Sequence, residues 1–300
     1  MGAIPVVDVA EFTAADQEKL LEACRAIGCF RVVNHGIPPP LQAEMKAAVR
    51  SLFDLPADVK RRNADAIPGS GYVAPTAKNP LYEAFGLYDA SSPTDVDAFC
   101  SRLDLPPHLR ETIKSYACKL HELVLNITSK ITESIGVDSY SFSEWPCQFR
   151  LNKYNFTEET VGSTGVQIHT DNNFLTVLQE DDCVGGLEVM DSTGAFLPVD
   201  PVPGTLLVNL GDVTKVWSNG LLHNVKHRVQ CKQAVTRISI ALFLLAPRDD
   251  IVETPAALVD PKHPRLYRTF SYDEYRKLRL SSGLRAVLLS NYWLEKKIRC

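Results

Sequence analysis

His169 and Asp171 stand two positions apart in the run Gln167-Ile168-His169-Thr170-Asp171, and His227 follows 58 positions after the first histidine, in Asn224-Val225-Lys226-His227-Arg228-Val229. Two imidazoles and one carboxylate on a single ion leave about half of an octahedron open, the arrangement with which non-haem Fe(II) holds a co-substrate and O2 together. Taken alone, His-x-Asp is an ordinary polar pair, so the reading needs independent residues. Arg237 supplies one, ten residues beyond His227 and two before Ser239. A buried arginine fork seeks a carboxylate. On a strand beside the metal, that carboxylate can belong to a bound organic acid whose other end reaches the ion. Asn152 and Tyr154 form a third i, i+2 pair in Arg150-Leu151-Asn152-Lys153-Tyr154. A single buried arginine is most simply half of a salt bridge, whereas an ordered series of such pairs is hard to obtain from packing.

These pairs need strands to present them, because residues i and i+2 share a face only in extended chain. Residues 165–170 and 174–178 are rich in β-branched and apolar side chains, with Asp171-Asn172-Asn173 between them reading as a turn. His227 must come from a second strand returning beside the first. Along 236–243, Arg237 and Ser239 take one face while Ile238, Ile240 and Leu242 take the other. From about 146 to 247 the pattern is one of short strands broken by Asp-Asp, Gly-Gly, Asp-Ser-Thr-Gly and Pro-Val-Pro-Gly, as an antiparallel double-sheet fold requires. The front half has another period. After a short strand at 4–9, helical spacing marks Ala14 to Ile27 and Pro40 to Leu55, separated by a strand-like Phe30 to Asn34. The longest helical stretch is 106–136, where Leu120, Leu123, Val124, Ile127, Ile131 and Ile135 form one apolar stripe that reads as core. The basic tail from Leu278 to Cys300 reads as an outer helix, with its Lys296-Lys297-Ile298-Arg299 end solvated. Residues 63–100, rich in Pro, Ser, Asn and Ala, are the expected place for a lid over the site.

With these residues in place, the chain resembles the plant 2-oxoglutarate- and Fe(II)-dependent dioxygenases. That family carries Asn-x-Tyr, His-x-Asp, a distal His followed by Arg-Val, and Arg-x-Ser in this order, and all four parts are present. The likeness reaches the front of the chain, in Ile4-Pro5-Val6-Val7-Asp8, in Cys29 to Gly36 and in Leu52-Phe53-Asp54-Leu55-Pro56, so it covers roughly residues 4 to 285. It implies an α+β fold with a double-stranded β-helix (jelly-roll) core at 146–247, a mainly helical region at 1–145 and an extension at 248–300, all one domain. It further implies that His169, Asp171 and His227 bind Fe(II), that Arg237 and Ser239 hold the distal carboxylate of 2-oxoglutarate, and that Tyr154 and Asn152 support that acid. O2 is then the co-substrate, ascorbate the expected reductant, and succinate and CO2 the co-products. Segments 165–179, Val184 to Glu188 and Trp217 to Lys232 are most similar to the subgroup that oxidises the auxin indole-3-acetic acid to 2-oxindole-3-acetic acid. Two positions depart from the wider family: Lys153-Tyr154-Asn155-Phe156 replaces the commoner Tyr-Tyr-Pro run, and His223 stands where a serine is frequent. The interval to Arg237 favours His227 over His223 as the ligand. His35, far from the ligand set in sequence, reads as structural.

By analogy with where substrates of the family lie, Tyr72, Phe85, Phe174, Leu221 and Phe243 are the expected walls of the substrate pocket, although aromatic residues are as readily core. A gibberellin, a flavonoid or melatonin could occupy the same mechanism. A barrel that binds metal or ligand without turnover has no need of Arg237 and Ser239 in register, and a zinc hydrolase lacks an evident general base in these motifs. A formal net charge of −4 offers no general attraction to nucleic acid. No apolar run reaches membrane-spanning length, no leader pattern opens the chain, and the eight cysteines contain no C-x-x-C pair, so a cytoplasmic chain with reduced thiols is expected.

Overall fold

The structure, a computed structural model, describes residues 4–77, 79–248, 251–282 and 292–294. Its centre is a pair of β-sheets. The larger has seven strands: β1 (Val6–Asp8), β2 (Cys29–Val33), β3 (Tyr82–Tyr88), β4 (Cys147–Tyr154), β6 (Leu175–Gln179), β9 (Leu206–Leu210) and β11 (Arg237–Leu244), in the spatial order β1-β2-β9-β6-β11-β4-β3. The smaller has four, β5 (Thr164–His169), β7 (Leu187–Met190), β8 (Phe196–Val199) and β10 (His227–Gln230), in the order β5-β10-β7-β8. Apart from the parallel β1/β2 edge, every pairing within these two sheets is antiparallel. This is the jelly-roll arrangement expected for 146–247, and it borrows three further strands from the front of the chain.

Alternation along the strands sorts side chains between two interiors. On β11, Ile238, Ile240, Leu242 and Leu244 belong to a large apolar core shared with the helices. Ala241 and the partly buried Phe243 face a smaller cluster between the sheets that holds Tyr154, Phe156, Leu178, Leu187 and Val229. The helical layer is α1 (Ala14–Ala26), α2 (Pro39–Phe53), the short α3 (Ala57–Lys60), α4 (Pro93–Arg102) and α5 (Pro107–Ser134). Thr13 starts α1 through a capping box: its hydroxyl accepts from Asp16 N–H at 3.2 Å while the Asp16 carboxylate accepts from Thr13 N–H at 3.3 Å. Pro107 at the first turn of α5 loses no bond that the helix could have made. The α5 stripe runs through Ile113, Tyr116, Leu120, Leu123, Val124, Ile127 and Ile131, all buried against the sheet and its neighbours.

Three expectations need revision. Within 63–100, β3 and most of α4 are regular, leaving 61–77 and 79–81 as the irregular stretches beside the cavity described below. The C-terminal helix starts earlier than its basic composition suggests: α7 spans Tyr272–Ser282, and residues 283–291 and 295–300 lie outside the described part. Finally, Asp171-Asn172-Asn173, expected as a turn between two strands, links strands of different sheets, β5 and β6. The segment crosses from one sheet to the other, and the buried Asn173 amide donates to the Leu175 carbonyl and the Thr176 hydroxyl, both at 2.9 Å, fixing the crossing.

Candidate active site

β10 returns antiparallel beside β5 with His227 directly opposite His169. Both are the residues at which their strands meet the mouth of the barrel, and the ring centres lie 4.2 Å apart. Asp171 sits two residues past the end of β5, on the crossing segment, so the loop rather than the strand presents it. Its Oδ1 lies 3.6 Å from His169 Nε2 and 3.7 Å from His227 Nε2. Ligand atoms from all three residues fall within 4.8 Å of one another, a spacing that one ion can bridge.

The groups behind these atoms leave the right ones free. The Nδ1 of His169 lies 2.8 Å from the Gln167 carbonyl and that of His227 lies 3.3 Å from the Val225 carbonyl. Donation to a carbonyl places the proton on Nδ1 and turns the Nε2 lone pair toward the ion. Asp171 Oδ2 accepts from the Thr176 hydroxyl at 2.6 Å, which leaves Oδ1 facing the imidazoles. Burial, then the neighbouring His227, push His169 down to about 3, so its imidazole is neutral as a ligand must be. Burial opposes ionisation of Asp171, yet His227, His169 and the Thr176 hydroxyl outweigh it and hold the carboxyl below its usual range. The donor set therefore fits a ferrous ion, with an open side toward the cavity.

Thr176, which no motif singled out, orients the carboxylate by one hydrogen bond. Thr176→Val removes that bond, and the one Asn173 donates to the same hydroxyl, at nearly constant volume, and is expected to weaken Fe(II) affinity by about 10- to 100-fold, the usual effect of losing an outer partner. A metal titration of the two proteins measures this, and unchanged affinity rejects the role.

A second support ties the metal loop to the C-terminal helix. The Asp212 N–H, at the start of α6 (Asp212–Trp217), donates to the Asp171 carbonyl at 2.8 Å. The buried Asp212 carboxylate accepts from Asn224 Nδ2 at 2.7 Å, from the Tyr275 hydroxyl at 2.5 Å and from Arg279. Arg279 also donates to the Thr170 carbonyl. Helix α7 thus braces the segment that carries Asp171.

Across the barrel, β11 pairs with β4 so that Arg237 lies opposite Tyr154 and Ser239 opposite Asn152. All four are buried. The Ser239 hydroxyl accepts from Asn152 Nδ2 at 3.3 Å and from Arg237 Nη1 at 3.4 Å, and the guanidinium lies 5.2 Å from the centre of the Tyr154 ring. Burial holds the Tyr154 hydroxyl above its usual range, so it remains a proton donor. Tyr82, also unmarked in the sequence, donates to Asn152 Oδ1 at 2.8 Å and fixes that amide. Arg237 is only 2% exposed, makes no ion pair with any described residue, and its Nε–H has no partner there. A desolvated guanidinium without an anion is costly, and this one faces the same cavity as the histidines. That cavity, of about 560 Å³, is lined by His169, Asp171, His227, Arg237, Ser239, Asn152 and Tyr154 together.

The five expected wall residues divide. Phe243 lines the cavity. Phe174 is fully buried on the other side of the sheet, its ring 4.5 Å from Phe142 and 5.4 Å from Trp217. Phe85 packs against Phe53 at 5.3 Å and Tyr72 at 5.0 Å in the helix-side core, and Tyr72 spends its hydroxyl on Glu83. Leu221 is 37% exposed in the turn after α6 and lines no part of the cavity. Apolar lining comes instead from Val73, Val166, Leu178, Leu187, Val229 and Leu280. His223 stays outside the ligand cluster, half-buried and pushed down to about 4 by burial and by Lys215 and Lys226. His35 accepts locally from the Ile37 N–H at 3.2 Å.

The sequence profile of the 2OG-Fe(II) oxygenase superfamily matches residues 145–246, and that of the non-haem dioxygenase in morphine synthesis N-terminal region matches residues 4–96. The chain is 65% identical over 274 residues to the 2-oxoglutarate-dependent dioxygenase DAO of Oryza sativa subsp. japonica, covering 91% of each. Among solved structures it is similar to the dioxygenase for auxin oxidation of rice, with a TM-score of 0.89 and 60% identity over 97% of this chain and 100% of that one. It is also similar to the Arabidopsis thaliana dioxygenase for auxin oxidation 1 in binary complex with 2-oxoglutarate, with a TM-score of 0.85 and 52% identity over 87% of this chain and 100% of that one. The paired sheets, the His-Asp-His cluster and these likenesses agree, and the chain belongs to the 2-oxoglutarate- and Fe(II)-dependent oxygenase superfamily.

Proposed function

We propose that this protein oxidises indole-3-acetic acid to 2-oxindole-3-acetic acid, consuming 2-oxoglutarate and O2 and releasing succinate and CO2. One oxygen atom of O2 enters succinate and the other enters the substrate. The observation that carries the reading is the unpaired, buried Arg237 on the wall facing the His-Asp-His cluster. It supplies a carboxylate site in the same cavity as the candidate metal ligands, as a chelating keto acid with a second carboxylate needs. The choice of substrate rests on likeness to the two dioxygenases for auxin oxidation.

His169, Asp171 and His227 would hold Fe(II), which supplies the centre where O2 is activated as 2-oxoglutarate is decarboxylated. Arg237 and Ser239 would bind the distal carboxylate of the co-substrate as a fork and a hydroxyl, and Asn152 with Tyr154 would keep that pair aligned. This would fix the keto acid at one end and set which end it presents to His169, Asp171 and His227. Val73, Val166, Leu178, Leu187, Val229 and Leu280 offer apolar surface to a substrate in the remaining space. Ascorbate is the proposed reductant that keeps the iron ferrous. No described helix is long and apolar enough to cross a membrane, and the seven described cysteines are all free. Free thiols suit a reducing compartment, and a cytoplasmic location is proposed on that basis.

The test is turnover of purified protein with Fe(II), 2-oxoglutarate and ascorbate against a panel of indole-3-acetic acid, a gibberellin, a flavanone and melatonin, with succinate and oxidised product read by mass. Indole-3-acetic acid is expected to give an oxidised product matched one to one by succinate. Coupled turnover of another member of the panel, with none on indole-3-acetic acid, would remove the substrate reading and leave the oxygenase class standing.

A further inference from the structure

We propose that Arg150, backed by Arg276, anchors the carboxylate of the organic substrate, so that the site selects small apolar monocarboxylic acids. This rests on the oxygenase reading above and names the group that reads the acid.

Arg150 lies on β4 two residues before Asn152 and four before Tyr154, so strand alternation sends all three to the cavity face. It lines the cavity that holds the metal cluster, and also an adjoining recess of about 220 Å³ shared with His169, Asp171, Arg276 and Arg279. Arg279 is neutralised by Asp212. The other two are held only by neutral acceptors. Arg150 donates to the Gly71 carbonyl at 2.8 Å and to the Gly69 carbonyl. Arg276 donates to the Pro68 carbonyl at 2.8 Å and to Gln148 Oε1 at 3.0 Å. Neither makes an ion pair with any described residue. Burial lowers the Arg150 guanidinium from its ordinary range, with Arg276 adding to the fall and Tyr82 and Asp65 opposing it. Two guanidiniums that line one recess, neither with a carboxylate in ion-pair reach among the described residues, describe an anion site.

The backbone around Arg150 is built to hold its fork. Gly86 on β3 is its register partner. A Cβ at Gly86 would stand 1.8 Å from the Ser70 carbonyl oxygen and 3.2 Å from Arg150 Nη1. Only glycine therefore lets the 69–71 loop lie flat on the strand with its carbonyls aimed at the guanidinium. Asn63 clamps the same spot, donating to the Gly86 carbonyl at 2.8 Å and accepting from its N–H at 3.1 Å. Two of the five N–H donors are used, and three remain for a ligand.

The two cavity arginines are separate carboxylate sites. Arg237 pairs with Tyr154, and Arg150 pairs with Ala241, four residues farther along β11. Four residues of strand span roughly 13 Å. That spacing leaves one guanidinium for the co-substrate and one for the substrate, with Phe243, Val73 and Leu280 offering apolar surface in the same cavity.

The experiment compares kcat/KM for indole-3-acetic acid with kcat/KM for its methyl ester and primary amide, in the wild-type protein, Arg150→Gln and Arg150→Lys. The acid-to-ester ratio within one variant does not depend on how much of that variant is folded. The wild type is expected to favour the acid. Arg150→Gln should lose on the order of 10- to 100-fold on the acid, the effect of losing a charged hydrogen-bonded contact. It should lose little on the ester, so the ratio falls toward one while the KM for 2-oxoglutarate holds. Arg150→Lys should retain part of the preference. An Arg150→Gln protein with the wild-type ratio would overturn the inference and leave the substrate reading intact. If the wild type does not oxidise indole-3-acetic acid, the substrate reading fails by itself. The ratio is then taken from 2-oxoglutarate consumption stimulated by other arylacetic acids and their esters: acid preference lost in Arg150→Gln supports the anchor, and no acid preference in the wild type overturns it.

Discussion

Asp171→Ala is expected to abolish turnover and to lower Fe(II) affinity by more than about 100-fold, beyond the 10- to 100-fold that loss of an outer partner costs. The carboxylate is the sole anionic donor of the cluster, and its Oδ1 stands between the two Nε2 atoms at 3.6 and 3.7 Å. Without it, two neutral imidazoles must hold a dication, and the open side of the site widens by one position. The fold should survive. The Asp171 backbone carbonyl keeps its bond from the Asp212 N–H, and the crossing segment keeps the Asn173 bonds. Metal content by elemental analysis, with circular dichroism as the folding control, checks this. A folded variant that retains one iron and full turnover contradicts the ligand assignment.

Arg237→Gln is expected to raise the KM for 2-oxoglutarate by roughly 100-fold, the upper range for removing a charged, bidentate contact. The KM for the organic substrate should change far less. Stability should respond in the opposite sense to an ordinary buried ion pair. Arg237 is 2% exposed with no acid partner among the described residues, so replacing it removes a desolvated charge and leaves no anion stranded. Without co-substrate the variant should therefore melt at or above the wild-type temperature, and the stabilisation that 2-oxoglutarate gives the wild type should disappear. Arg237→Lys keeps the charge and loses the fork, and should fall between the two. Thermal shift with and without 2-oxoglutarate, alongside steady-state kinetics, reads both signs. A lower melting temperature with unchanged co-substrate KM would make Arg237 structural.

Much of this site is legible before folding because its chemistry sits on strands, where period two is a local property. Arg237 and Ser239, and Asn152 and Tyr154, can be paired on faces from sequence alone, and the register of β11 with β4 then sets them opposite one another. The same logic fails at Asp171, because strand period says nothing about a residue past the strand end. Its position is set by Asn173, Thr176 and Asp212, which act through tertiary hydrogen bonds. Apart from Phe243, the expected wall lies elsewhere for another reason. Phe174 and Phe85 have the composition of pocket residues, yet interiors favour aromatic side chains equally, and only the sheet's facing decides. Strand β3 was hidden because Gly86 interrupts its apolar run within a stretch rich in loop residues, and that glycine is what admits the 69–71 loop. Arg150 did carry a signal, since it continues the alternation of Asn152 and Tyr154 by one step. Its lack of an acid partner becomes visible only in three dimensions.

The His-Asp-His cluster and Arg237 are proposed as two ends of one binding site. Anaerobic calorimetric titration of 2-oxoglutarate into the protein, with and without one equivalent of Fe(II), tests it most directly. One equivalent of 2-oxoglutarate should bind about 10-fold or more tightly when the metal is present, a coupling that must be reciprocal, and this gain should vanish in Asp171→Ala. Equal affinity with and without Fe(II), or undiminished coupling in Asp171→Ala, would contradict the account.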